Sequence, residues 1–117
     1  MIMRHSARSF VDKLDFLTSL GHGRNGSERR ALGITTQGPA LLVTDLCIMS
    51  PDPATHEFAV TSLHAGATRD QVRENTGWNV KFAGNVEQTP PPNSHELEAL
   101  RDLNARTARA HGASVAE

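Results

Sequence analysis

The stretch Ala40-Leu41-Leu42-Val43-Thr44-Asp45-Leu46-Cys47-Ile48-Met49 is nearly continuous in apolar side chains. A run of this length with breakers at its end reads as a strand covered on both faces, as in the sheet of an α/β protein. Asp45 interrupts it with a carboxylate, which is costly there unless it reaches a hydrogen-bond partner or sits near a strand end. Ser50-Pro51-Asp52-Pro53 breaks the run. Phe58 to His64 then resumes with alternating side chains, which predicts an antiparallel pair around a proline-bearing turn.

Downstream, Thr68 with Gln71 three positions later is a capping-box pattern. It predicts a helix to about Thr76, with Gly77 placed to end it in a left-handed conformation. Trp78 to Ala83 alternates again through Val80 and Phe82, so Phe58 to Ala83 reads as a strand, helix and strand that make a parallel crossover. Thr89-Pro90-Pro91-Pro92 suits a stiff extended spacer. After it, Asn93 or Ser94 caps a helix with an apolar stripe of Leu97, Leu100 and Leu103, which Gly112 should end.

Upstream, Gly21 to Gly38 is rich in glycine and charge and holds too few apolar residues to order itself by burial, so it reads as a loop. Phe10 to Leu20 carries apolar residues at mixed spacings, either a short helix or an irregular packed segment. Met1 to Ser6 resembles the tail of a strand and lacks the basic region and apolar core of a secretory leader.

The whole chain of 117 residues suits one small domain, and 12 basic against 13 acidic residues give a formal charge of -1 with no long run of either sign. That balance lacks the electrostatic footprint of a nucleic-acid or anionic-membrane binder. No stretch reaches the length of a membrane span, and a single cysteine excludes an internal disulfide, so a cytoplasmic, reducing setting is expected. Six histidines invite a metal reading, but neither His56-Glu57 nor His95-Glu96 has the second histidine four residues on that would put two ligands on one helical face. No metal site is therefore expected. Cys47 inside an apolar strand reads as a small buried hydrophobe, and the glycine-rich loop, despite Arg24, Arg29 and Arg30, lacks both the Walker and the dinucleotide patterns.

The order of motifs resembles the β subunits of family I CoA-transferases of the glutaconate and 3-oxoacid type. The resemblance runs through Arg4-His5-Ser6, Phe10 to Ser19, Gly38-Pro39, Val43-Thr44-Asp45-Leu46, Ser62 to Thr68, Gln71 to Trp78 and Thr89-Pro90-Pro91-Pro92. Ala65 stands where the family often has proline. The resemblance implies an α/β fold, a partial open sheet with flanking helices corresponding to the C-terminal half of the CoA-transferase fold. Residues 1–88 would form that partial domain with the glycine-rich loop at 21–38, residues 89–93 the spacer, 94–112 a C-terminal helix and 113–117 a disordered tail.

The resemblance also implies partnership with a CoA-transferase α subunit and with the N-terminal half of the β subunit. CoA is then a substrate and no permanently bound cofactor is expected. CoA would pass between an acyl-CoA and a dicarboxylic or 3-oxo acid through an acyl-glutamyl anhydride and a glutamyl-CoA thioester. The family's glutamate lies in a motif upstream of the matched segment, so no catalytic residue is expected here, and Glu28 in the loop does not take its place. His5 and Ser6, ending the first strand, are the candidates for the wall of the substrate cleft, because ligands of open α/β sheets sit beyond the carboxyl ends of strands. Two other readings stand beside this one: a non-catalytic assembly module, and a CoA-transferase-like hydrolase that opens rings of steroid-derived CoA esters.

Overall fold

A computed structural model describes residues 1–24 and 26–112. The elements in chain order are α1 (Ser27–Ala31), β1 (Leu42–Val43), β2 (Cys47–Pro51), β3 (Phe58–Leu63), α2 (Arg69–Glu74), β4 (Lys81–Gln88) and α3 (Ser94–Ala110). The four strands make one sheet in the order β1-β2-β3-β4. The first two pairings are antiparallel and β3 with β4 is parallel, with α2 in the crossover between them. This is an α/β fold.

The apolar run 40–49 is two strands and not one. Leu42 faces Met49 and Val43 faces Ile48 across a hairpin whose turn is Thr44-Asp45-Leu46. The Thr44 hydroxyl makes the turn by accepting from the Leu46 and Cys47 amides at 3.1 and 3.0 Å, which satisfies backbone groups that a continuous strand would have offered to neighbours. Asp45 thereby lies exposed on a turn, and its carboxylate escapes burial. The N-terminal segment adds a parallel bridge at Ile2 and Val43, with Met3 N donating to Val43 O at 3.0 Å and Val43 N to Met1 O at 2.9 Å. That matches the strand-tail reading of Met1 to Ser6.

Proline at position 51 does not stop β2, which runs through it to pair Pro51 with Phe58. The turn follows at Asp52, whose carboxylate accepts the Ala54 and Thr55 amides at 2.8 and 3.0 Å. Strand β4 begins at Lys81, three residues after the alternation at Trp78 suggests, and continues to Gln88. Trp78 and Val80 instead form a tight turn, with Val80 N donating to Trp78 O at 2.9 Å. The polar residues Asn85, Glu87 and Gln88 can lie in this strand because it is at the end of the strand order and largely exposed.

Thr68 caps α2 with a full capping box, as its spacing with Gln71 predicts. Gly77 does something other than end that helix in a left-handed turn: its φ is not positive, and Asn75 is the C-cap. A Cβ added at Gly77 would lie 2.7 Å from Phe10 O and 2.9 Å from Asp12 N, so glycine is there to let two backbones meet. Gly77 N donates to Phe10 O at 2.7 Å across that contact. Asn93 caps α3 with Glu96, and Gly112 ends it at φ 69°.

The core is Phe10, Cys47, Met49, Val60, Val72 and Val80, flanked by half-buried Leu42, Leu46, Leu63 and Trp78 among others. Phe10 enters it from an irregular segment, in which Leu14, Phe16 and Leu17 are exposed. The glycine-rich segment, poor in apolar residues, contains the short helix α1 where the sequence reads as a loop, and Arg29 ties its described residues together. Its guanidinium donates to Gly21 O at 2.7 Å, Thr36 O at 3.1 Å and Thr36 Oγ1 at 2.7 Å. The Leu100 and Leu103 side chains of the α3 stripe are exposed, and no helix among the described residues is long and apolar enough to cross a membrane. The expectation for 113–117 falls outside the described residues.

Gly77→Ala should destabilise the chain by about 1–3 kcal/mol, because both atoms it would strike are backbone and cannot swing away. Gly84→Ala, where an added Cβ meets nothing within 4 Å, should change stability by well under that. Denaturant unfolding of the two variants checks the contrast.

Candidate functional site at the carboxyl ends of the parallel strands

Parallel strands β3 and β4 end together at Leu63 and Gln88, so the residues that follow them, His64 and Thr89, are brought side by side. His64 Nδ1 lies 2.8 Å from Thr89 Oγ1, and His64 Nε2 lies 2.8 Å from the carbonyl oxygen of Thr44. A carbonyl only accepts, so Nε2 donates to Thr44 O, while Nδ1 meets the Thr89 hydroxyl. That hydroxyl also pairs with Ser62 Oγ. One carbonyl thus orients three side chains.

Thr44 is reached from its other side by His5. His5 Nδ1 lies 3.2 Å from Thr44 Oγ1 and Nε2 lies 2.9 Å from Thr76 Oγ1. The Thr76 hydroxyl donates to Val72 O at 2.6 Å, so it accepts from Nε2–H and the His5 tautomer is fixed. The ring stacks on Phe10 at a centroid distance of 3.9 Å and 8°. The backbone amide of His5 donates to Asp45 Oδ1 at 2.7 Å, and this bond, ahead of burial acting the other way, holds the Asp45 carboxyl below its ordinary range.

Burial favours the neutral imidazole and lowers the His5 pKa, with Asp45 opposing in a smaller measure. Cys47 Sγ is fully buried 3.7 Å from both His5 Nδ1 and Thr44 Oγ1, and burial raises its pKa, so the thiol stays protonated. It packs in the core as its place in an apolar run suggests.

Of the two residues the sequence singles out, His5 is 4% exposed with both ring nitrogens engaged inside the chain. Ser6 is half-buried and opens a turn, its carbonyl accepting from Ser9 N and Phe10 N at 2.9 Å each. His5 reaches the Thr44 turn, whereas the hydrogen bonds of Ser6 stay within its own turn. His64, Thr89, Ser62 and Thr76 complete the cluster. Sequence reasoning misses them as site residues, although all four belong to motifs that carry the family resemblance. Their signal is positional: a histidine and a threonine immediately after two strands that pair in parallel. Among the described residues, no group of three or more His, Cys, Asp or Glu side chains converges as a metal site would need.

The His5 environment has a consequence for stability. The unfolded chain takes up a proton at this imidazole near the ordinary value of 6.5, and the folded chain takes it up only at lower pH. Between those two points the unfolded state binds more protons, so stability is fully present above about 6.5 and declines as pH falls through that value. His5→Gln should show a shallower decline over the same interval in denaturant midpoints, before carboxylates begin to protonate. An equally steep decline in the variant would remove His5 as the cause.

The family model for Coenzyme A transferase matches residues 1–75. The B subunit of the 3-oxoadipate CoA-transferase of Pseudomonas knackmussii is 56% identical over 112 residues, 96% of this chain and 43% of that protein. The crystal structure of glutaconate CoA-transferase from Acidaminococcus fermentans superposes with a TM-score of 0.76 at 27% identity, covering 86% of this chain and 39% of that one. The cholesterol ring-cleaving hydrolase IpdB subunit of Rhodococcus jostii is 29% identical over 113 residues, 96% of this chain and 44% of that protein. The chain therefore spans less than half the length of the relatives it matches. With more than half of its residues under one family model and a B subunit 56% identical to nearly all of it, the chain belongs to the Coenzyme A transferase family, on the side of its β subunits.

Proposed function

We propose that this chain is the C-terminal part of a CoA-transferase β subunit that moves CoA between an acyl-CoA and a dicarboxylic or 3-oxo acid. The observation that carries the reading is the 56% identity to a 3-oxoadipate CoA-transferase B subunit along 96% of the chain. That relative's acid is a 3-oxo acid by name, which favours this acceptor class. An α subunit and the N-terminal half of the β subunit are the proposed partners, and the latter supplies the reactive glutamate.

In the proposed exchange, the glutamate carboxylate attacks the acyl thioester carbonyl, an acyl-glutamyl anhydride forms, and CoA leaves as the thiolate. That thiolate then attacks the glutamyl carbonyl of the anhydride, giving the glutamyl-CoA thioester and releasing the first acid as its carboxylate. The acceptor carboxylate attacks this thioester, and the same two steps run in reverse to give the new acyl-CoA. Covalent passage through a carboxylate divides one difficult exchange into easier ones.

The described residues contribute position. Both nitrogens of His5 are occupied within the chain, which supports a role in holding the Thr44 turn in place, with Ser6 next to it in sequence. The hydrolase reading is favoured by the 29% identity to a ring-cleaving hydrolase subunit over a similar share of the chain. The two differ in what they need, since a hydrolase releases free CoA without any acceptor acid.

The test is reconstitution. The chain alone, and the chain combined with the N-terminal β segment and the α subunit of a 3-oxoadipate CoA-transferase, are assayed for CoA exchange between succinyl-CoA and a 3-oxo dicarboxylic acid. Exchange is expected only in the combination, and only with acceptor present. Turnover by the chain alone would overturn the proposal, and acceptor-independent release of free CoA by the combination would replace it with the hydrolase.

A further inference from the structure

The glycine-rich loop and the β2–β3 turn line a cleft of about 910 Å³ to which the reaction above assigns no role. It lies where Pro51 pairs with Phe58, at the opposite end of the β2–β3 ladder from Cys47, Leu63 and the cluster around Thr44. A ligand bound there touches none of the Thr44 cluster, and only its CoA source would rest on the transferase reading.

Two guanidiniums, Arg29 and Arg30, line this cleft against one carboxylate, Asp52. Among the described residues neither arginine has a carboxylate partner. Asp52 is occupied by its own turn, where the Thr55 and Ala54 amides hold its carboxyl below the ordinary range. Arg29 spends one N–H from each of its three nitrogens on the loop, which leaves two of its five donors unassigned. Arg30 is exposed.

The same cleft holds His22 and His56, with ring centroids 5.1 Å apart. His22 Nε2 donates to Pro39 O at 2.6 Å. The Nδ1 atoms of both rings are shielded from water and have no hydrogen-bond partner, a state that costs about 1–3 kcal/mol per group. His56 adopts φ 59°, in the left-handed region. Glycine at 26 and 38 lets the backbone close on these rings, since an added Cβ would lie 3.0 Å from His56 Cε1 and 3.1 Å from His22 Nδ1.

Nδ1 atoms closed off from water are equally closed to a ligand, so the two rings wall the cleft and offer it no bond. What the cleft offers is cationic, two guanidiniums without carboxylate partners, which repel a metal ion and attract an anion. A phosphate suits them, because its several oxygens accept from the planar fork of an arginine. We infer that this cleft is a binding site for a phosphate group, held by Arg30 and the spare donors of Arg29, with the His22 and His56 rings in its wall. The phosphate has two possible sources of the same chemistry, the phosphate-bearing end of CoA or a free phosphorylated compound.

The test is an NMR titration of the full chain at about 0.15 M salt, with inorganic phosphate, pyrophosphate and CoA as separate probes. The imidazole signals of His22 and His56 are followed, assigned through His22→Asn and His56→Asn. Saturable shifts of both rings are expected with at least one probe, weakened about tenfold or more by Arg30→Glu and little changed by Arg101→Glu, the same charge reversal on α3. Saturation by CoA in competition with pyrophosphate would identify the substrate's phosphates as the source, and saturation by phosphate or pyrophosphate alone would identify a free compound. Absence of saturable shifts with all three, equal weakening by both charge reversals, or a response of the two rings to Zn²⁺ alone would overturn the inference. The wild-type titration carries this decision even if a variant fails to fold.

Discussion

One residue, Thr44, is held from two sides by histidines distant from it in sequence. Its hydroxyl makes the β1–β2 turn and meets His5, while its carbonyl accepts from His64. His5 joins this turn to Thr76, two residues beyond the end of α2, and His64 joins it to Thr89 beyond β4. Five positions far apart in sequence, 5, 44, 64, 76 and 89, therefore share a single clasp. Each of these bonds contributes only about 0.5–1.5 kcal/mol net. Those of His5 are buried, where a lower dielectric strengthens each of them.

The clasp matters because the core around it is small. Its six buried apolar side chains include only one aromatic, Phe10, and that ring is held by stacking on His5 and by the close backbone approach at Gly77. Removing the imidazole would therefore loosen the aromatic as well as the turn. Buried His5 stays neutral and buried Cys47 stays protonated for the same reason, desolvation, so the cluster holds position and avoids housing a charge. Such fixed geometry at the carboxyl ends of parallel strands is what an open α/β sheet needs where a ligand is to lie.

Much of this is legible from the residues. The capping boxes at Thr68 and Asn93 place two helices, because a side-chain cap is a local interaction that needs no tertiary context. The antiparallel β2–β3 pair and the parallel crossover also follow from pattern. The hairpin hidden in residues 40–49 does not, because apolar periodicity cannot show where a buried chain reverses. Asp45 is the clue, a carboxylate that becomes inexpensive once it lies on a turn. Gly77 reads as a helix stop, although its reason is a contact with Phe10, more than sixty residues away in sequence. The ordering of the glycine-rich loop escapes an argument from burial, because its tie is a set of bonds from Arg29 to loop carbonyls and a hydroxyl. His5 reaches the Thr44 turn from the end of the N-terminal segment, but His64 and Thr89 become neighbours only when the register of β3 and β4 is known.

The claim that both histidines act on one turn is tested most directly by a double-mutant cycle in the full chain. His5→Leu, His64→Leu and the pair are compared by denaturant unfolding, each variant removing one side of the Thr44 clasp. A coupling of about 0.5–3 kcal/mol between the two substitutions is expected, as for residues in one hydrogen-bond network. Simple additivity would contradict the shared clasp and leave the two histidines as unrelated local contacts.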